Sequence, residues 1–431
     1  MNPDCRRLLR GGGVSVVLHS AVMTEPRKNV FAVLDMGSTK MVCLAVKVRS
    51  DGVPEIMGVG YKAADGVNGG AIASKQHAGY SILSSIDAAE QVSEHTMNQV
   101  YVNVSGCNIA SHNISNEMRS TVHEISDRDI RRIMLQTYEK FSRDDIVVHN
   151  IPIAYHLDDL NDVTELRGLY GRQLRADMHV VTASKLALLN IENCITDNNL
   201  SMGGCVAEPY VSGLACLTED EKELGTMILD IGGNYTSIGM FDRGKFVHAG
   251  TIPLGGMHIT RDIAYGLCIS VKDAERMKVL HGNVMLTSAD KDYAIETEDG
   301  NEDKCSVMKS DLTNIIRPRV EEILELVKEE MDRQQNVVGK VVITGGCSNL
   351  ASIREVASYI LNKQVRIGLP VQIHGMGKEY DRNPIFSAAV GTTLLVAHSF
   401  YGKGVGEAHN PSYGGRIRRM LKKWITDKSD A

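Results

Sequence analysis

Two stretches of this chain, one in each half, follow one plan. FAVLDMGSTKMVCLAV (31–46) runs apolar up to Asp35, turns through Gly37-Ser38-Thr39-Lys40 and becomes apolar again. TMILDIGGNYTSIGMF (226–241) does the same around Asp230 and Gly232-Gly233-Asn234. Each reads as strand, tight turn, strand: a β-hairpin. Successive backbone N–H groups in such a turn can cradle a phosphate, and a carboxylate ending a buried strand suits a magnesium ion held through water. Ser38 and Thr39 add hydroxyls, and Lys40 adds a cation. One such hairpin alone is more often an ordinary turn. Two of them, one per half, predict a duplicated α/β chain in which Asp35 and Asp230 face each other across a cleft. That geometry grips a nucleoside triphosphate and its metal from both sides.

A third element, KVVITGGCSNLASIREVA (340–357), reads as a strand, then Gly345-Gly346, then a helix capped by Ser348 or Asn349. The paired glycines either allow an adenosine ring to approach closely or simply turn the chain. No GxxxxGK[ST] or GxGxxG loop accompanies them. AEPYVSGLACL (207–217) places Glu208 before a proline and an apolar helix, and NPIFSAAVGTTLL (383–395) is a helix of small residues suited to close packing. In DAERMKVLHG (273–282), Glu275 and Lys278 share one helical face, as a surface ion pair or as nucleotide contacts.

The bulk composition narrows the class. A hydrophobic fraction of 43%, a charged fraction of 23% and a net charge of −6 describe a globular chain with no basic footprint for nucleic acid. Nine cysteines without a CxxC favour a reducing compartment. No apolar run approaches the ~20 residues of a membrane span. Residues 1–27 are expected to be a disordered extension, with Met23 as an alternative start.

The chain closes on GGRIRRMLKKWITDK (414–428), which holds its one Trp. Ile417, Met420, Leu421, Trp424 and Ile425 fall within an arc of roughly 140° on a helical projection. Arg416, Arg418, Arg419, Lys422 and Lys423 take the opposite side. A helix over 416–427 with this pattern can dock on its own protein, fill a partner's groove or lie on an anionic membrane. The Gly-containing linker 401–415 and a Trp at the boundary favour lipid headgroups.

Phosphate hairpin, connecting helix, second hairpin, adenosine loop and second connecting helix, in that order, resemble the actin-like ATPase superfamily. VLDMGSTK, LTEDEKELG, ITRDIAYGL, DAERMKVLHG and the basic tail resemble more closely the FtsA family of bacterial cell-division proteins. The resemblance implies an actin-like ATPase fold, two duplicated α/β domains around a nucleotide cleft, with an extra subdomain inserted in the first half. The first core domain would span 28–105 and 178–217, with HVVTAS (179–184) returning to it, and the insert would span 106–177. The second core domain would span 218–270 and 335–400. Its small lobe, 271–334, would contain the acidic stretch 288–304 and a long helix burying Val320, Ile323, Leu324 and Val327.

The resemblance also implies ATP and Mg2+ as ligands, Glu208 as the carboxylate that orients water near the metal, and self-association into filaments. It implies FtsZ and other division proteins as partners, with Arg317 and Arg319 receiving an acidic FtsZ tail or serving ordinary internal ion pairs. It places the chain on the cytoplasmic side of the inner membrane at the division site. Asn234, Tyr235 and Ser237 depart from the superfamily's usual second hairpin, so slow hydrolysis at most is expected. A metabolic kinase of the same superfamily is the alternative, and it would have no use for the lipid-like tail.

Overall fold

The computed structural model describes residues 23–24, 26, 29–106, 109–141, 144–286, 294–296, 306–334 and 338–401. Two five-stranded sheets of identical topology form its frame. The first runs Ser201–Ala207, Gln99–Val104, Val30–Met36, Lys40–Val48, Pro54–Ala63. The second runs Gln364–Ile367, Lys340–Thr344, Thr226–Ile231, Thr236–Asp242, Lys245–Ile252. In each, an antiparallel meander opens the sheet, and its first strand pairs in parallel with the next strand inward. The two Asp-Gly hairpins therefore occupy equivalent places. Their leading strands are buried almost throughout, because layers cover both faces.

Two helices join the sheets. Glu208–Cys216 and Ser387–Tyr401 pack against each other between the two halves. They approach so closely that a Cβ placed on Gly391 would lie 1.9 Å from the Val211 carbonyl oxygen. The small residues of the second helix thus serve a backbone-to-backbone crossing. On the far side of the second sheet, Lys309–Arg333 buries Val320, Ile323, Leu324 and Val327 as its periodicity predicts. Most of the acidic stretch 288–304 lies outside the described residues, although Ala294–Glu296 pairs with Ser306–Met308.

The first half carries an insert: strand Ala110–Glu124, helix Asp127–Glu139, strand Asp145–Leu157 and strand Tyr170–Ser184. The last strand lies in the middle of a three-stranded antiparallel sheet and has its own core around Met118, Ile133 and Leu174. Here the sequence expectation needs correcting. Residues 179–184 pair within the insert's middle strand, with Thr182 opposite Ala110 and Ser184 opposite Asp145, and not with the first core sheet, although Val181 and Ala183 do pack into the first half's core. The chain regains the first sheet through helix Lys185–Thr196 and the edge strand Ser201–Ala207.

Two smaller expectations also change. Met23 and Thr24, assigned to a disordered extension, lie against the free edge of that strand. Met23 is buried, and the Thr24 N–H donates to the Gly203 carbonyl at 2.7 Å. The helix after Gly345-Gly346 is not capped by Ser348 or Asn349. Gly346–Asn349 forms a 3-10 turn, the Ser348 hydroxyl bonds back to the Gly345 carbonyl, and the helix starts later, at Ile353.

The crossing yields a stability prediction. Gly391→Ala should cost about 3 kcal/mol, because the added methyl meets rigid backbone rather than a movable side chain. Denaturant unfolding of the purified variant checks it; a change under about 0.5 kcal/mol, typical of a surface site, would contradict the close crossing.

Candidate functional site

Between the hairpins lies a narrow cleft. It is lined by Asp35, Gly37, Ser38, Thr39 and Lys40 from the first half and by Asp230, Gly232, Gly233 and Asn234 from the second, with Glu208 and Gly346 closing it. Residues far apart in sequence thus meet at one place. Strand pairing achieves this: Asp35 and Asp230 stand one residue before the ends of the equivalent central strands, and Glu208 opens the helix that joins the halves. Pro209, at the start of that helix, lacks an N–H where none is needed.

Each acid is held from behind. The Asn103 amide donates to Asp35 Oδ1 at 3.0 Å, the Ser212 hydroxyl donates to Asp230 Oδ2 at 2.7 Å, and Ser105 donates to Glu208. Lys40 Nζ donates to the Ile385 carbonyl at 2.7 Å. Gly345 stands beside Asp230 with φ +83°, and a Cβ there would fall 2.2 Å from Asp230 Oδ1, so only glycine fits. Three carboxylates therefore share one buried pocket with a single ammonium. Burial raises all three above the ordinary carboxylate range, Asp230 to about 6, although Lys40 opposes the rise at each. Burial likewise lowers Lys40, against the pull of Asp35, Asp230 and Glu208.

This donor set suits a divalent cation, which would supply the positive charge the pocket lacks. Among the described residues no three His, Cys, Asp or Glu side chains converge to hold an ion by themselves. A cation here would take its remaining oxygens from water and phosphate, as magnesium commonly does.

The second hairpin also reaches across the cleft. Asn234 Nδ2 donates to Asn68 Oδ1 at 2.6 Å, and the Tyr235 ring packs on Gly69 so closely that a Cβ there would meet it at 2.2 Å. A Cβ on Gly233 would lie 2.7 Å from Thr39 Cγ2, so the two turns themselves touch.

Other expected site residues stand elsewhere. Glu275 and Lys278 do not line the cleft. Lys278 is buried and donates to Glu275 at 2.7 Å, to Thr260 Oγ1 at 2.8 Å and to the Gly256 carbonyl at 3.0 Å. They brace the turn from behind, since the Gly256 N–H in turn donates to the Gly232 carbonyl. Glu275 still faces the first half: burial, then its charge, raises the Tyr61 hydroxyl. Arg317 pairs with Glu321, and Arg319 grips Asp262 through two nitrogens and also pairs with Glu322. Residues 416–427 lie outside the described residues.

The sequence reading missed Asn103, Ser105, Ser212, Ile385 and Ala388. Asn103 and Ser212 were visible as lone polar residues inside apolar runs, and Ser105 as the hydroxyl ending a buried strand. Ile385 acts through its carbonyl, which no side-chain pattern announces.

Comparisons with known proteins agree with this frame. The family description "Cell division protein FtsA" matches residues 227–391, and "SHS2 domain inserted in FTSA" matches residues 106–182. The chain is 37% identical over 429 residues to the cell division protein FtsA of Agrobacterium fabrum, covering 94% of this chain and 96% of that one. Among solved structures, the PilM-PilN type IV pilus biogenesis complex aligns with TM-score 0.62 at 16% identity, covering 86% of this chain and 99% of that one. MreB5 of Spiroplasma citri bound to ADP aligns with TM-score 0.55 at 12% identity, covering 88% and 100%. At such identities these two speak for the fold alone, which is actin-like.

The buried acids carry a pH prediction. A carboxyl raised from 3.8 to about 6 keeps its proton longer in the folded state. Folding is therefore penalised as pH rises through that window, and the penalty is complete above it. Between pH 4 and 7 the wild type should lose on the order of 2 kcal/mol relative to Asp230→Asn. Parallel urea titrations of both proteins, free of nucleotide and metal, check this; curves that stay parallel across the window would contradict it.

Proposed function

The chain belongs to the FtsA family of cell-division proteins, and we propose that it binds ATP with magnesium in this cleft, self-associates, and tethers the FtsZ polymer to the cytoplasmic membrane. The observation that carries the nucleotide reading is the meeting of two Asp-Gly hairpins, one from each half, around an excess of buried negative charge. Backbone N–H groups of the turns 37–39 and 232–234, with Lys40, would receive the phosphates. Asp35 and Asp230 would hold the magnesium through water, and Glu208 would orient the attacking water. Gly345 and Gly346 would border the nucleoside, while Glu275 and Lys278 would act from behind the second turn, through the Gly256 carbonyl and Thr260. Magnesium would supply the charge that makes three clustered carboxylates tolerable beside a triphosphate. Asn234 and Tyr235 crowd the second turn, in keeping with slow hydrolysis.

The tether rests on the tail. Each basic residue contributes up to ~1 kcal/mol near an anionic surface, and each large apolar side chain roughly 1.5–3 kcal/mol on burial. Ordering the helix takes back much of this. A single tail then binds reversibly, and many tails on one polymer bind far more firmly, because each further contact is local. Self-association is thus part of the anchoring. No described helix is long and apolar enough to cross a membrane. Arg317 and Arg319, on the small lobe, are the cations offered to an acidic FtsZ tail. Their internal partners Glu321, Glu322 and Asp262 would have to be displaced or shared.

Co-sedimentation with anionic vesicles, in ATP and physiological salt, tests the tether. The full chain should pellet and carry FtsZ with it, and a chain ending at Gly415 should stay in solution; if both stay in solution, the tail is no anchor. For the cleft, Glu208→Ala should retain ATP binding and lose about tenfold or more in hydrolysis. Hydrolysis at the wild-type rate would remove Glu208 from that role.

A further inference from the structure

Directly behind Glu208, the insert meets the core. Strand Asp145–Leu157 is bulged twice where it pairs with Tyr170–Ser184: Val147 faces Thr182 and His149 faces Val181, then Pro152 faces Met178 and Ala154 faces Asp177. Bulges re-aim the groups beside them. Ile153, skipped by the second bulge, gives its carbonyl to Lys245 Nζ of the second half. His149, beside the first, is fully buried, and its Nε2 accepts the Ala207 N–H at 2.8 Å. Its ring stands edge-on to Tyr210, with centroids 4.9 Å apart. Ala207 is the residue before Glu208, and no side chain of its own segment caps that helix. It also ends the outermost strand of the first sheet, whose free edge is met at Gly203 by Thr24.

A ring nitrogen that accepts a backbone N–H carries no proton, so His149 presents Nε2 to Ala207 as an acceptor. The surroundings keep this junction dry. Tyr210 packs on Phe246 and Phe241 of the second half, and the neighbouring His179 of the insert bonds the Phe246 carbonyl at 2.8 Å. An imidazole from the insert, a backbone amide of the first sheet and aromatic rings of the second therefore share one contact region, and Glu208 leaves it toward the cleft.

We propose that His149 is a positioning residue for Glu208, through which the inserted subdomain sets where that carboxylate stands. The bond fixes the backbone one residue before Glu208, so a shift of the insert's strand is passed to the cleft without crossing a flexible loop. By reciprocity, what happens at the cleft biases the insert. This rests on the reading of Glu208 as the water-orienting acid.

The test uses the full chain and two variants. His149→Phe keeps a ring edge against Tyr210 and removes the acceptor; His149→Gln restores an acceptor oxygen. Hydrogen exchange of the Ala207 amide and ATP hydrolysis with magnesium are read together. In His149→Phe, exchange at Ala207 should speed by about tenfold or more, kcat should fall by about tenfold or more, and nucleotide Kd should stay within about threefold. His149→Gln should recover most of both changes. Unchanged exchange at Ala207 overturns the anchor, and faster exchange with unchanged kcat overturns its bearing on Glu208. A fall in affinity and kcat together that His149→Gln does not rescue assigns His149 to packing alone, and also overturns the proposal. Glu208→Gln run alongside separates the two readings. If it leaves hydrolysis untouched, the role of Glu208 fails, and with it the positioning role, while the exchange data show whether the anchor itself exists.

Discussion

The buried carboxylates of Asp35 and Asp230 and the half-buried one of Glu208, answered by the half-buried ammonium of Lys40, are the condition around which this structure is arranged. An uncompensated charge in a low-dielectric interior is costly, and the protein meets the cost in pieces. Asn103, Ser105 and Ser212 each give one hydrogen bond to an acid from behind, and Lys40 spreads its charge among all three. What remains is an unneutralised negative field at the meeting point of both halves. The two sheets, the joining helices and the glycine turns all serve to deliver those acids to one place. Such a pocket is poised for a cation because its own protein leaves it short of one.

Much of this was legible in the sequence because the chain says it twice. Asp35 and Asp230 sit at the same position in the same pattern, and β-pairing converts that repetition into facing carboxylates. Glu208 was legible through the proline beside it. Other features were not, for definite reasons. The role of Ile385 lies in its carbonyl. The Glu275–Lys278 spacing fits both a surface ion pair and a nucleotide contact, and the fold instead buries Lys278 as a brace behind the second turn. HVVTAS reads as a core strand because it is apolar and β-branched, yet a fifteen-residue strand can serve one sheet along its whole length while its end packs against another domain's core. Hydrophobicity reports burial; it does not report which sheet does the burying.

Arg317 and Arg319 illustrate the same limit on the surface. Both hypotheses for them required a carboxylate partner, and the chain supplies several within reach. Arg319, held by Asp262 from another helix, ties Lys309–Arg333 to Gly256–Leu267, the helix that braces the second turn. An acidic partner bound there, as proposed, would compete with a contact that also steadies the cleft, so one guanidinium would link the proposed docking surface to the proposed nucleotide site.

The crossing of Glu208–Cys216 and Ser387–Tyr401 has a mechanical meaning. Interlocked side chains resist rotation, because each must change rotamer before its neighbour can move. At Gly391 there is no side chain to interlock, and main chain rests on main chain. Such a bearing tolerates rolling and resists separation. A swing of the two halves about it by small angles would leave the core unbroken, and would let a molecule with turns in contact across its cleft admit a ligand without unfolding anything.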